Sequence, residues 1–136
     1  MAYWLIKSEP SAYSWDQLVK DKKTSWTGVR NFQAQINLKA MKTGDRAFFY
    51  HSGEGKEIVG IAEITKAAYP DPTDKDGKAV AVDVRAVEPV KQPVTLGAIK
   101  ADAKFKDFKL VRQSRLSVVP VSDEHWKLLL KMSGSK

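Results

Sequence analysis

The strongest constraint on the fold lies between Ala47 and Val87, where hydrophobic spacing changes from a helical to a strand period. Ala47-Phe48-Phe49-Tyr50-His51 and Ile58-Val59-Gly60-Ile61-Ala62-Glu63-Ile64 are runs of branched and aromatic residues, the composition that favours strands. The turn Ser52-Gly53-Glu54-Gly55 separates them. Ala79 to Val87 alternates apolar residues with Asp83 and Arg85, as a half-buried strand requires, and it follows the one long polar loop, Pro70 to Gly77. These connections hold no crossover helix, so the three strands are expected to pair antiparallel.

The flanking segments read as short helices and two more strands. Tyr3-Trp4-Leu5-Ile6-Lys7 is a strand closed by Ser8-Glu9-Pro10, and Ser14-Trp15-Asp16-Gln17 has capping-box spacing ahead of a helix to about Asp21. From Asn31 to Lys42, Phe32, Ile36, Leu38 and Met41 fall near helical spacing, and Gly44 is the expected stop. Thr95 caps a short helix through Ala101, and Leu116 to Val121 is a last strand. Ser122 then caps a helix from Asp123 to Lys131, with acids in its first turn and lysine in its last, matching the helix dipole. The order β-α-α-β-β-β-α-β-α predicts an α+β domain around a small, mostly antiparallel sheet or barrel. There is no repeat, linker or low-complexity tract, so residues 1–136 are read as one domain.

Several chemistries drop out on residue content. The chain has no cysteine, which removes disulfides, iron–sulfur clusters, cysteine zinc sites and thiol catalysis. Its two histidines, His51 and His125, are too few for a three-histidine metal site, and His125 reads as a surface or half-buried residue. HExxH, GxSxG, P-loop and GxGxxG patterns are all absent. The expectation is a protein that is not an enzyme, with no cofactor and no metal. No apolar run approaches the length of a membrane span, and the N-terminal residues lack signal-peptide organisation. No membrane association is expected, and the location is read as cytoplasmic, or nuclear if the source is a eukaryote.

Charge is unevenly distributed. The 23 Lys+Arg exceed the 16 Asp+Glu by seven. Residues 1–50 and 91–136 are basic, whereas residues 51–90 carry five bases against eight acids. Lys100, Lys104, Lys106, Lys109, Arg112 and Arg115 fall within sixteen residues, diluted only by Asp102 and Asp107. Such segregation suits a face that meets phosphate, and a solvated lysine-rich surface is the competing reading. Among the four tryptophans, Trp4, Trp15 and Trp126 are read as core. Trp26 lies in the polar, glycine-containing stretch Thr24-Ser25-Trp26-Thr27-Gly28-Val29-Arg30-Asn31, read as a loop ahead of a helix. An indole there either packs at the helix entry or offers a stacking face to a base, worth about 1–3 kcal/mol.

Five ordered blocks carry a family resemblance. Tyr3-Trp4-Leu5-Ile6-Lys7-Ser8-Glu9-Pro10, Trp26-Thr27-Gly28-Val29-Arg30-Asn31 and Gly44-Asp45-Arg46-Ala47-Phe48-Phe49-Tyr50-His51-Ser52 resemble signature segments of the EVE domain. Tyr69-Pro70-Asp71 and Arg115-Leu116-Ser117-Val118-Val119-Pro120-Val121 resemble two more. The family belongs to the PUA-like superfamily and is akin to YTH domains; the similarity runs from Tyr3 to about Leu130.

The resemblance implies a PUA-like pseudobarrel of strands flanked by helices, and a non-catalytic pocket for a single, often modified, base of DNA or RNA. By motif position the pocket involves Lys7 and Ser8; Trp26 as stacking wall; Val29, Arg30 and Asn31; Tyr50, His51 and Ser52; and Leu116 and Ser117. Lys104, Lys106, Lys109, Arg112 and Arg115 are the expected phosphate contacts. The partner is therefore expected to be nucleic acid carrying a modified base such as methylated or hydroxymethylated cytosine, bound by a monomer. A small nucleobase-like molecule, or a weakly marked enzyme site in the same pocket, is the alternative. Two departures stand out: Ala34-Gln35-Ile36 replaces the family's common Ala-Arg-Asn, and Pro72 to Ala79 lacks the longer aromatic insertion of many members.

Overall fold

Strand-forming runs separated by tight turns build a single sheet, and a computed structural model places it across residues 1–53 and 55–134. Glu54, within the turn expected after the first central strand, and Ser135 and Lys136 lie outside the described residues. The strands are β1 (Tyr3–Ser8), β2 (Lys23–Trp26), β3 (Arg46–His51), β4 (Glu57–Pro70), β5 (Val80–Thr95) and β6 (Val118–Val121). The helices are α1 (Trp15–Asp21), α2 (Phe32–Ala40), α3 (Leu96–Ala101), α4 (Lys109–Arg112) and α5 (Asp123–Met132), with a 3-10 turn at Ala103–Phe105. In space the strands run β2-β5-β4-β3-β1-β6. The central β3-β4-β5 pairings are antiparallel, as expected from their short connections. The architecture is thus α+β, a mostly antiparallel sheet flanked by helices. One pair departs from that rule. β1 and β3 are parallel, Tyr3 opposite Arg46 and Ser8 opposite His51, because the chain between them makes a crossover through α1, β2 and α2.

The sheet curls. β4 and β5 are long and slip register at four places between Ile58 and Tyr69, and such bulges bend strands and strengthen their twist. The result is that Trp26 on the edge strand β2 packs edge-on against Phe49 of β3, ring centres 5.6 Å apart, although β5 and β4 intervene in the sheet. Leu5, Ile6, Phe48, Phe49, Ile58 and Ile64 are all sealed from solvent: Phe49 packs within the curl against Trp15 and Trp26, and its neighbour Phe48 packs on the opposite face against Trp126. Trp4, Trp15 and Trp126 are buried as expected. Trp126 stacks on Tyr3 at 4.3 Å and contacts Phe48 at 4.0 Å, fixing α5 to the sheet.

Local capping follows the sequence closely. Ser14, Thr95 and Ser122 accept hydrogen bonds from the amides of Gln17, Ala98 and His125, each at 3.1 Å. Gln17 does not complete a capping box; its amide donates to Asp21 instead. α2 differs more. Asn31 caps it by accepting from the Ala34 amide, and it ends at Ala40 with Met41 as its C-cap, before Gly44, which sits in the turn into β3 with φ of +97°. Phe32 and Ile36, expected on its inner face, point outward at 80% and 43% exposure, while Gln35 and Asn37 are buried. Both polar side chains are satisfied: Asn37 donates to the Val118 carbonyl at 2.7 Å, and Gln35 bonds to Val29 and Val80. The second correction is β2. Lys23 to Trp26, expected as loop, is strand because Arg85, Val84, Asp83 and Val82 of β5 pair with it.

Gly60 is required by packing. A Cβ there would lie 2.5 Å from three atoms of the Trp15 indole. Trp15 is itself wedged edge-on against Phe49 at 5.5 Å. Gly60→Ala is expected to lower unfolding free energy by about 1–3 kcal/mol through overpacking, measured by urea denaturation; unchanged stability would contradict the packing described.

Candidate nucleic-acid interface

The two edges of the curled sheet do not pair with one another. Between them opens a cleft of about 530 Å³. One wall comes from Thr24, Ser25 and Trp26 of β2, and the rim from Thr27, Gly28, Val29 and Arg30. The opposite wall is Lys7 and Ser8, at the end of β1, with Ser117 just ahead of β6. Ala12 and Tyr13 close one end. Among the described residues the cleft is lined by two cations, Lys7 and Arg30, and by no carboxylate.

Each wall is held by a specific contact. Trp26 is 8% exposed, and Tyr13 meets it edge-on at 6.2 Å. Tyr13 is fixed in turn: its hydroxyl donates to Asp21, and its carbonyl accepts from Ser8 Oγ at 2.6 Å. Lys7 Nζ donates to the Ser114 carbonyl at 2.9 Å and lies 5.9 Å from the Tyr50 ring centre. Burial lowers its affinity for a proton relative to an ordinary lysine.

The rim is clamped by buried Asp71, which follows directly on β4. Its carboxylate accepts from the Gly28 amide (2.8 Å), Arg30 Nη1 (3.1 Å), the Thr73 amide (2.7 Å) and the Thr73 hydroxyl (2.6 Å). Arg30 Nη2 also donates to Thr73 Oγ1 at 3.0 Å. Burial alone would raise the Asp71 pKa, but hydrogen bonds from Thr73, Gly28 and Arg30 outweigh it and hold the carboxyl well below the usual carboxylate range. Gly28 has φ of +80°, which turns its amide toward that carboxylate at no side-chain cost. From the other side Gln35 donates to the Val29 carbonyl at 2.7 Å and bridges to both backbone groups of Val80. Of the two residues that depart from the family's Ala-Arg-Asn, Gln35 is therefore a buried strut beneath the rim, and Ile36 is exposed.

Of the residues expected in a base pocket, Lys7, Ser8, Trp26, Val29, Arg30 and Ser117 line this cleft together. Asn31 instead caps α2 and, with Leu116, faces an adjoining depression of about 350 Å³ that also holds Arg112 and Arg115. Leu116 is largely buried. Tyr50 is buried beneath Lys7. His51 Nε2 accepts from the Trp15 amide at 3.0 Å, and burial lowers its pKa against the pull of Glu57 and Asp16. Ser52 borders a separate depression with Glu9 and Pro10. Lys104, Lys106, Lys109, Arg112 and Arg115 are all exposed; the two arginines stand nearest the cleft, through Ser114, which Lys7 contacts.

Sequence reasoning missed Ala12, Tyr13, Thr24, Ser25, Thr27 and Gly28 as lining, and Asp71, Thr73 and Gln35 as clamps. Asp71 carried a signal as part of the Tyr69-Pro70-Asp71 block, Thr24, Ser25, Thr27 and Gly28 as part of the stretch around Trp26, and Gln35 as a departure from the family's pattern; Ala12, Tyr13 and Thr73 carried none. Among the described residues no group of three or more His, Cys, Asp or Glu side chains is arranged to hold a metal ion. No helix is long and apolar enough to cross a membrane.

A carboxyl whose folded pKa is depressed stabilises the fold above its unfolded value and loses that contribution as pH falls toward the folded one. Asp71→Asn is therefore expected to cost about 1.5–3 kcal/mol at neutral pH. The gap between variant and wild type should narrow below about pH 4, the ordinary carboxylate range. Unfolding free energies from pH 7 to pH 3 check this; a gap independent of pH would contradict it.

With this geometry in place, comparison with known proteins is direct. Thymocyte nuclear protein 1 of Gallus gallus is 35% identical over 98% of this chain and 69% of the relative. Rpa0253 from Rhodopseudomonas palustris, solved by NMR, is 59% identical with a TM-score of 0.94, covering 98% of this chain and 94% of that one. Human THYN1, crystallised in complex with 5-methylcytosine-containing DNA, is 32% identical with a TM-score of 0.91, covering 100% and 99%. The YTH domain of Zygosaccharomyces rouxii MRB1, solved with N6-methyladenosine RNA, shares the fold at a TM-score of 0.62 and 20% identity, covering 97% and 86%. The EVE domain description matches residues 2–132, and the chain belongs to the EVE domain family.

Proposed function

We propose that this protein is a non-catalytic reader of nucleic acid that holds one modified base, 5-methylcytosine foremost, in the cleft between the sheet edges. The observation that carries the reading is the cleft itself: an indole wall, a ring of hydroxyls, two cations and no carboxylate. A neutral, flat, hydrogen-bonding ligand attached to a polyanion matches that inventory. The reading is also supported by human THYN1, which is similar to this chain throughout and was crystallised with methylated DNA.

In this account the base lies against Trp26, with Tyr13 at its edge. Ser8, Thr24, Thr27 and Ser117 surround it with groups that both donate and accept, and Lys7 supplies a donor. Arg30, already fixed by Asp71 and Thr73, shapes the rim rather than moving to the ligand. Tyr50 and His51 support the walls from behind. Phosphates flanking the base meet Arg112, Arg115 and Asn31 in the adjoining depression, and Lys104, Lys106 and Lys109 add longer-range attraction. Extruding a base from duplex costs a few kcal/mol, so single strands and destabilised sites should bind more tightly. The protein acts as a monomer without cofactor or metal.

Titration with matched oligonucleotides carrying cytosine, 5-methylcytosine, 5-hydroxymethylcytosine or N6-methyladenine, as DNA and as RNA, tests the reading. A methyl group in an apolar pocket contributes about 1–3 kcal/mol, so one modified base should be preferred by ten-fold or more. Trp26→Ala should remove about 1–3 kcal/mol of affinity, and Trp26→Phe, which keeps the contact with Phe49, should retain part of it. Equal affinity for all four bases, unaffected by either substitution, would overturn the proposal.

Phosphate contacts also predict how affinity responds to salt. Arg112→Ala and Arg115→Ala should each make the plot of log affinity against log salt shallower by about one. Affinity that scarcely changes with salt would point instead to a small neutral ligand in the same cleft.

A further inference from the structure

α2 packs inward through Ala34 and Leu38 together with Gln35 and Asn37, yet its outward face carries two apolar side chains, Phe32 and Ile36, one turn apart. Exposed apolar residues scattered singly are ordinary, but these two are neighbours at i and i+4. Phe32 is 80% exposed and is the first residue of the helix, two positions beyond Arg30. Its ring helps line a depression of about 400 Å³ with Ile36, Lys39 and Lys78. Arg30 borders both this depression and the Trp26 cleft, so the two lie on either side of its clamped side chain. Two acids face it as well. Asp74, whose carboxylate accepts from the amides of Asp76, Lys78 and Ala79, keeps its charge alongside Asp76; with Arg30 paired to Asp71, Lys39 and Lys78 are the two cations outside the clamp that face the depression.

We infer that Phe32 is a stacking platform for the nucleobase next to the one held in the cleft, with Lys39 and Lys78 placed for its phosphates. The inference rests on the base-pocket reading and extends it to a second nucleotide. An exposed ring beside cations suits a base on a phosphate backbone: every base has a flat apolar face, and stacking on an aromatic side chain needs no sequence match. Extrusion of one base also leaves its neighbour unstacked, and an apolar side chain at the rim can fill that gap.

The test uses the full chain, a 12-mer carrying one central 5-methylcytosine (single-stranded and duplex), and the variants Phe32→Ala and Phe32→Trp. Because Phe32 is exposed, both variants should keep the wild-type thermal midpoint. Phe32→Ala should weaken binding of the 12-mer roughly ten-fold. Phe32→Trp should hold affinity within about two-fold of wild type, and its added tryptophan fluorescence should be quenched on binding. If wild type binds the 12-mer but Phe32→Ala binds equally well, or the fluorescence of the introduced tryptophan is unchanged, the platform is overturned and the cleft reading stands. If wild type binds none of the modified or unmodified oligonucleotides, the cleft reading falls and this inference with it. Phe32→Ala losing a protein partner while keeping nucleic-acid affinity would likewise overturn the platform.

Discussion

The incomplete closure of a curled sheet is the constraint on which everything else depends. From the end of edge strand β2, Trp26 packs on Phe49 across the curl, and that aromatic contact sets how near the two edges approach. Were the edges to pair, a closed barrel would leave no cleft; were they splayed, the indole would lose its support. The gap that remains is walled on one side by β2 and on the other by the ends of β1 and β6. Its rim is then fixed by a second contact, the buried Asp71 carboxylate, which ties Gly28, Arg30 and Thr73 into one unit. A charge this buried is tolerated because four donors surround it. The cleft is thus assembled by two contacts between residues far apart in sequence.

What could be read from sequence divides along that line. The strands at 47–51 and 58–64, and the caps Ser14, Thr95 and Ser122, depend on local spacing and local hydrogen bonds, and they were legible for that reason. β2 was not, because Lys23-Thr24-Ser25-Trp26 has little strand character and becomes strand only by pairing with β5. α2 misled in a different way. Apolar spacing at Phe32 and Ile36 predicted an inner face, whereas buried amides of Gln35 and Asn37 reach backbone carbonyls that no sequence pattern reveals. The pocket blocks brought Lys7, Ser8, Trp26, Val29, Arg30 and Ser117 to one cleft. Asn31 caps α2, Tyr50 lies beneath Lys7, His51 takes the Trp15 amide, Ser52 borders a separate depression and Leu116 is buried, placements set by tertiary contacts rather than by local spacing.

Charge gains meaning from the same topology. The two basic ends of the chain, residues 1–50 and 91–136, meet because β1 pairs with both β3 and β6. Lys7 reaches across to Ser114, which places Arg112 and Arg115 beside the mouth of a cleft that has no carboxylate in its lining. From the acidic middle of the sequence, buried Asp71 clamps the rim. Within the overall excess of seven positive charges, Lys7, Arg30, Arg112 and Arg115 are the ones gathered at the cleft and its neighbouring depression.

The central claim is that one base occupies the cleft against Trp26. Chemical-shift mapping of the isotope-labelled protein with a 5-methylcytosine-containing oligonucleotide tests it most directly. The account predicts the largest changes at the Trp26 indole N–H, at Lys7 and Ser8, along Thr27 to Arg30, and at Ser117. Changes confined to the groove between α1 and β5, around Val19 and Val87, or absent altogether at saturating oligonucleotide, would contradict it.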